Sequence, residues 1–126
     1  VHCPYTGAFL LLHYIHSHNT SMIEATAAPT TQITEEDGLS YISMSVGADE
    51  VCTACYMRDK AQRVVIIQLD TPVEHRGNGY ATALLERIQS LEEAGPIRVI
   101  STSHATGFYN KLGYIEVSPF VFQSSN

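Results

Sequence analysis

Residues 73–82, Val-Glu-His-Arg-Gly-Asn-Gly-Tyr-Ala-Thr, carry the densest chemistry in the chain. They follow a β-branched run and open an amphipathic helical pattern, so they read as a strand-to-helix junction. The first turn of a helix leaves backbone N–H groups unpaired, and the helix dipole adds partial positive charge there. Gly77 and Gly79 let that backbone come close to a ligand and accept positive φ. Arg76 adds a cation beside them. A junction so composed suits a phosphate.

Two familiar phosphate signatures do not fit. A P-loop needs Lys followed by Ser or Thr after its glycines, and no such pair follows Gly79. A dinucleotide fingerprint needs a third glycine where Thr82 stands. Arg76-x-x-Gly79-x-Ala81 instead resembles the pyrophosphate loop, Q/R-x-x-G-x-G/A, of the GCN5-related N-acetyltransferases (GNAT). A second segment, Phe108-Tyr109-Asn110-Lys111-Leu112-Gly113-Tyr114, resembles the F-Y-x-K-L-G-F/Y segment of the same family. The two stand in the family's order, and the resemblance covers roughly residues 40 to 117.

The resemblance implies acetyl-coenzyme A as donor and direct attack of a primary amine on the thioester in a ternary complex. Leu69, Asp70, Thr71, Arg76, Gly77, Asn78, Gly79, Tyr80, Ala81 and Thr82 would then hold the cofactor. The backbone from Gly77 to Thr82 meets the pyrophosphate, and the pantetheine amides pair like an added strand along a splayed edge at Leu69 to Thr71. A backbone N–H of Leu69 or Asp70 would face the thioester oxygen as it gains charge. The resemblance places Tyr109 beside the sulfur. A phenol, with a reference pKa of about 10, carries the proton that the departing thiolate needs. The family often uses a glutamate, or a water chain leading to one, as base. Here the central strand carries Gln68 and Asp70, and His75 and His104 are the nearby groups that titrate usefully. An amine arriving neutral needs only a weak base. The alternative is an acyl-coenzyme A-binding or interaction protein of the same fold without turnover.

These residues need elements to position them. Val64-Val65-Ile66-Ile67-Gln68-Leu69 has no alternation and reads as a central strand. Helix is expected from about Gly79 to Glu93, with Ala81, Leu84, Leu85, Ile88 and Leu91 on one stripe and Gly95-Pro96 as the stop. Strands are expected over 41–46, 51–57, 97–102, 114–117 and 120–122, with a hairpin connection at Gly47 to Glu50, a turn over Asp59 to Gln62 and a short helix over 105–112. Upstream, helices are expected over 7–18 and 22–28, then a break at Pro29 and a solvated acidic turn at Glu35-Glu36-Asp37-Gly38. The fold class is α/β (α+β), a mixed, largely antiparallel central sheet flanked by helices. We read one domain over 1–126, with an N-terminal helical part to residue 40 and the cofactor-binding core over 41–126.

Composition sets outer bounds. The chain has 126 residues, 44% of them hydrophobic, enough for one real core. A net charge of −6 argues against a nucleic-acid binder and favours a cationic amine acceptor, above all if the acidic Glu35 to Asp37 segment borders the acceptor cleft. The apolar run from Ala8 to Leu12 is too short to span a membrane, so the expectation is a cytoplasmic protein, with a homodimer allowed. The sequence begins at Val1 rather than Met, which leaves its natural start open. Cys3, Cys52 and Cys55 make an odd number and argue against a disulfide framework. Cys52-x-x-Cys55 would put its thiols on opposite faces of a strand, and His13, His16 and His18 have no carboxylate or cysteine close by in sequence, so no metal is expected.

Overall fold

The computed structural model describes residues 28–125. Its strands are β1 (Thr30–Glu36), β2 (Leu39–Val46), β3 (Asp49–Arg58), β4 (Val64–Asp70), β5 (Arg98–Ile100), β6 (Ile115–Ser118) and β7 (Val121–Gln123). They form one sheet in the order β1-β2-β3-β4-β5-β7-β6. Every pairing is antiparallel except β4 with β5. Helix α1 (Tyr80–Leu91) crosses from β4 to β5, and α2 (Thr106–Lys111) lies between β5 and β6. The mixed, largely antiparallel sheet is the one expected, and β4 is its middle strand. No described helix is long and apolar enough to cross a membrane.

The N-terminal boundary needs correction. Residues 30–36 are a strand, not the end of a helical part, and the acidic turn is a hairpin. Asp37 (φ 54) and Gly38 (φ 82) both sit in the left-handed region, the requirement of a two-residue hairpin whose twist matches its strands. The Thr-Thr-Gln-Ile-Thr run that precedes them has the β-branched character of a strand. The helices expected over 7–18 and 22–28 fall outside the described residues, apart from Ala28, which is not helical.

One core fills the space between the sheet and α1. Leu84, Leu85 and Ile88 on the helix stripe meet Ile42, Met44, Val51, Ala54, Val64 and Ile66 on the sheet, with Ala81 and Leu91 at the margin. Burying each large side chain contributes roughly 1.5–3 kcal/mol. The helix stops at Leu91, ahead of Gly95-Pro96. Glu93 takes the left-handed position (φ 51), and the Ala94 and Glu93 N–H groups cap the Gln89 and Ser90 carbonyls at 3.0 and 3.2 Å. Tyr56 then donates to the Glu92 carboxylate at 2.8 Å, and Arg58 pairs with it at 3.2 Å, tying this helix end to β3.

β4 carries a bulge. Tyr56 opposes Ile66 and Cys55 opposes Gln68, so Ile67 is the extra residue. Before it, Val64 and Ile66 point into the core; after it, Leu69 does, while Gln68 and Asp70 are exposed. The strand is thus sealed on its core face and half-covered on the other at Val65 and Ile67, which accounts for its missing alternation.

Replacing Ile66, which is fully buried, with Ala should cost about 2–5 kcal/mol in urea unfolding. Ile33→Ala on the edge strand, 42% exposed, should cost within about 0.5 kcal/mol. Equal losses would contradict this placement of the core.

Candidate functional site

The cleft begins where β4 loses a partner. β5 pairs with β4 only at Val65–Arg98 and Ile66–Val99. Past Ile100 the chain turns towards the far hairpin, where the Ser101 N–H donates to the Phe120 carbonyl at 2.8 Å. The β5-facing edge of β4 beyond Ile66 is therefore open, and a wedge widens between the strands.

The connection from β4 to α1 closes the wide end. A 3-10 turn, Val73–His75, is held by the His75 N–H on the Pro72 carbonyl at 2.8 Å. The Arg76 Nε donates to the Thr71 carbonyl at 2.8 Å, and the Asn78 amide donates to the His75 carbonyl at 3.1 Å. Gly77 (φ 82) and Gly79 (φ 80) hold left-handed backbone that a residue with a Cβ adopts only under strain. Gly79 is the N-cap of α1, and the first N–H to bond back is that of Ala83, to the Gly79 carbonyl at 3.0 Å. The N–H groups of Tyr80, Ala81 and Thr82 are the donors that a helix start leaves over.

These parts border one cleft of about 540 Å³. Leu69, Asp70, Thr71, Arg76, Gly77, Gly79, Tyr80, Ala81, Thr82 and Tyr109 all line it. Asn78 does not; its amide braces the loop from behind. His75 and His104 both line the cleft, as do Thr102, Ala105 and Phe108, none of which the sequence marked as a site residue. Their signal was position: Ala105 and Phe108 lie just ahead of Tyr109, at the start of α2 and within it, and the Tyr109 N–H reaches the Ala105 carbonyl at 3.3 Å.

Tyr109 is 3% exposed. Its ring stacks on Phe122 at 5.6 Å, tilts against Tyr114 at 5.7 Å and meets Phe108 edge-on at 5.0 Å. Gly113 (φ 86) ends α2, so that the Tyr114 N–H caps the Tyr109 carbonyl at 3.0 Å and the Tyr114 ring returns onto Tyr109. Burial, with Tyr114 and Cys52 adding to it, holds the Tyr109 phenol above the ordinary tyrosine range. Burial and then Glu86 push Tyr114 up to about 12. Beneath them the Cys52 thiol lies 3.3 Å from the Thr71 hydroxyl; its burial raises the thiol, and the Thr71 contact partly offsets that.

The two cysteines of β3 do face opposite ways. Cys52 opposes buried Met44, whereas Cys55 opposes exposed Tyr41 and lines a groove with it and Gln68. Both are free thiols, and among the described residues no group of three His, Cys, Asp or Glu could hold a metal. His13, His16 and His18 lie outside the described residues. The acidic segment is not where the acceptor reading needed it. Glu35, Glu36 and Asp37 border a separate cavity of about 430 Å³ with Arg58 and Glu92. That cavity sits where β4 begins, and the cleft sits where β4 ends, roughly 20 Å away for a strand of this length.

A family model described as an acetyltransferase (GNAT) domain matches residues 25–124. Among solved structures, an inferred acetyltransferase from Exiguobacterium sp. 255-15 is 26% identical, with TM-score 0.56 over 71% of this chain and 63% of that one. The chain thus spans 63% of the length of that protein. The AtaT toxin bound to the C-terminus of the antitoxin AtaR and acetyl-CoA is 11% identical, with TM-score 0.59 over 75% of this chain and 91% of that one. Tetrahymena GCN5 is 14% identical, with TM-score 0.56 over 71% and 69%. At such identities the last two show likeness of fold alone. No curated protein matches the chain.

The tyrosines give a pH dependence with a definite sign. Below about pH 10 the phenols of Tyr109 and Tyr114 are protonated in folded and unfolded chains alike, and their share of the stability is intact. As pH rises from about 10 through the folded value of about 12 for Tyr114, the unfolded chain releases protons that the folded one retains, and stability is lost. Urea midpoints should drop across this window, and Tyr114→Phe should blunt the drop. A flat profile would contradict the burial of these phenols.

Proposed function

The chain belongs to the GNAT acetyltransferase family, and from that premise we propose that it transfers an acetyl group from acetyl-coenzyme A to a primary amine by direct attack in a ternary complex. One observation carries the reading: the open edge of β4, the N-terminus of α1 and the Tyr109 phenol all border a single cleft.

Each part has a task. Backbone N–H groups from Gly77 to Thr82 receive the pyrophosphate, with the helix dipole behind them. The edge of β4 from Leu69 to Thr71, freed from β5, offers ladder groups to the amides of the pantetheine arm. Its N–H at Leu69 or Asp70 steadies the thioester oxygen as the amine adds and negative charge develops. When the carbon–sulfur bond breaks, the thiolate takes the proton of Tyr109, which burial keeps on the phenol at neutral pH. No dedicated base is required if the amine enters neutral. AtaT, a protein of similar fold, is known with acetyl-CoA bound, which supports the choice of cofactor. The second reading, a binder without turnover, leaves a proton donor in the cleft with no task. Mass spectrometry of an amine panel incubated with acetyl-coenzyme A decides between them, since a binder yields no acetylated amine.

Gly79→Val forces a β-branched residue into φ 80 and sets its side chain in the path of the phosphates. Coenzyme A affinity should fall tenfold or more in calorimetry, about 1.4 kcal/mol. Affinity like that of the parent, in a variant that melts normally, would remove the loop from the site.

Tyr109→Phe keeps the ring stack and deletes the proton. Turnover should fall roughly 10²-fold with little change in coenzyme A affinity. An unchanged kcat, with chemistry rate-limiting, would retire Tyr109 as the acid.

A further inference from the structure

The backbone donors of α1 leave part of the cofactor's charge unanswered. Coenzyme A carries a 3′-phosphate besides its pyrophosphate. Among the described residues lining the cleft, Arg76 is the one permanent cation, and its Nε is already engaged by the Thr71 carbonyl at 2.8 Å. Two imidazoles line the same cleft from its two walls. His75 ends the 3-10 turn after β4, anchored through its N–H on the Pro72 carbonyl and set edge-on to the Tyr80 ring at 6.4 Å. His104 is exposed in the connection from β5 to α2. β4 and β5 are adjacent and parallel, and the ends of such strands are where α/β sheets gather ligands.

We infer that His75 and His104 form a two-walled clamp for a phosphate of coenzyme A, each donating a ring N–H to a phosphate oxygen. The clamp rests on the acetyl-coenzyme A reading and adds side-chain recognition to a site otherwise built from backbone. A neutral imidazole has one N–H to give, and a protonated one has two plus a charge, which makes the bond charge-assisted. Arg76 lines the same cleft and supports an anion there. Asp70, at the end of β4, and Glu74, next to His75, oppose one, and Tyr80 and Tyr109 offer only neutral phenols. The anion therefore belongs on the loop side of the cleft, away from Asp70. Because the donors come from separate connections, the clamp also draws the walls of the wedge together.

Calorimetric titration of coenzyme A, 3′-dephospho-coenzyme A and pantetheine tests this. The proteins are wild type, His75→Gln, His104→Gln, the double variant and His104→Lys, each checked for a wild-type melting temperature. Each Gln variant should weaken coenzyme A about threefold to tenfold, roughly the worth of one hydrogen bond. The double variant should lose more, His104→Lys should keep most of the affinity, and pantetheine should bind all of them alike. A loss confined to coenzyme A assigns the clamp to the 3′-phosphate, and a loss shared with the dephospho form assigns it to the pyrophosphate; either supports it. A double variant that binds coenzyme A as wild type does, or variants that weaken pantetheine equally, overturns it. If wild type fails to bind coenzyme A at all, the acetyl-coenzyme A reading falls and the clamp with it. Loss in the histidine variants alone, with wild type and Gly79→Val behaving as proposed, separates the two.

Discussion

Two adjacent parallel strands stay paired only while nothing else claims their backbone, and here something does. β5 is three residues long, and the Ser101 N–H beyond it belongs to the Phe120 carbonyl of the β6–β7 hairpin. On its β5 side, β4 runs on for four more residues past its last pairing, from Ile67 to Asp70. That unmatched stretch costs ladder bonds and yields an open edge in the middle of the sheet. The position of the loop, the direction of α1 and the approach of α2 all follow from where the wedge opens. A continuous β4–β5 ladder would give a more regular sheet with no cleft.

Tyr109 shows how closely this cleft is tied to the core. Its ring is part of the same apolar cluster as Phe122 and Val99, and its carbonyl caps the end of α2. A buried phenol is normally an expense, because its hydroxyl gives up water. In the role proposed for Tyr109 the same burial would hold the proton in place until a thiolate arrives. The Cys52–Thr71 contact at 3.3 Å continues this shared wall towards the end of β4. Packing and chemistry therefore draw on one set of side chains, and substitutions on this wall affect both.

Much of this was legible in the residues. Glycines at 77 and 79, the β-branched run before them and the apolar stripe after them placed the loop, and the cleft gathers nearly every residue so expected. The stop of α1 was misplaced because Glu93, not Gly95, takes the left-handed position, held by capping bonds that propensity does not foresee. The strand over Thr30–Glu36 was missed because an acidic Asp-Gly turn reads as solvated loop until its partner strand is known. That the acidic segment borders the acceptor cleft was a condition suggested by the family resemblance; long-range pairing puts the segment at the other end of β4 from the cleft. His75 and His104 were visible as titratable groups, but only the adjacency of β4 and β5 shows that they face one cleft.

The extra residue at Ile67 makes β4 a strand defined by count rather than composition. Ile67 is only half-buried, so many side chains fit there. Removing the position altogether is another matter. Loss of one residue would restore an unbroken ladder with β3 and keep Gln68 opposite Cys55 and Leu69 opposite Ala54, while removing the local bend and added twist that a bulge gives its strand. The open edge at the mouth of the wedge would then leave the ladder on a straighter course. Substitution at this one position is therefore a mild change, whereas removing it redirects the edge on which the site is built.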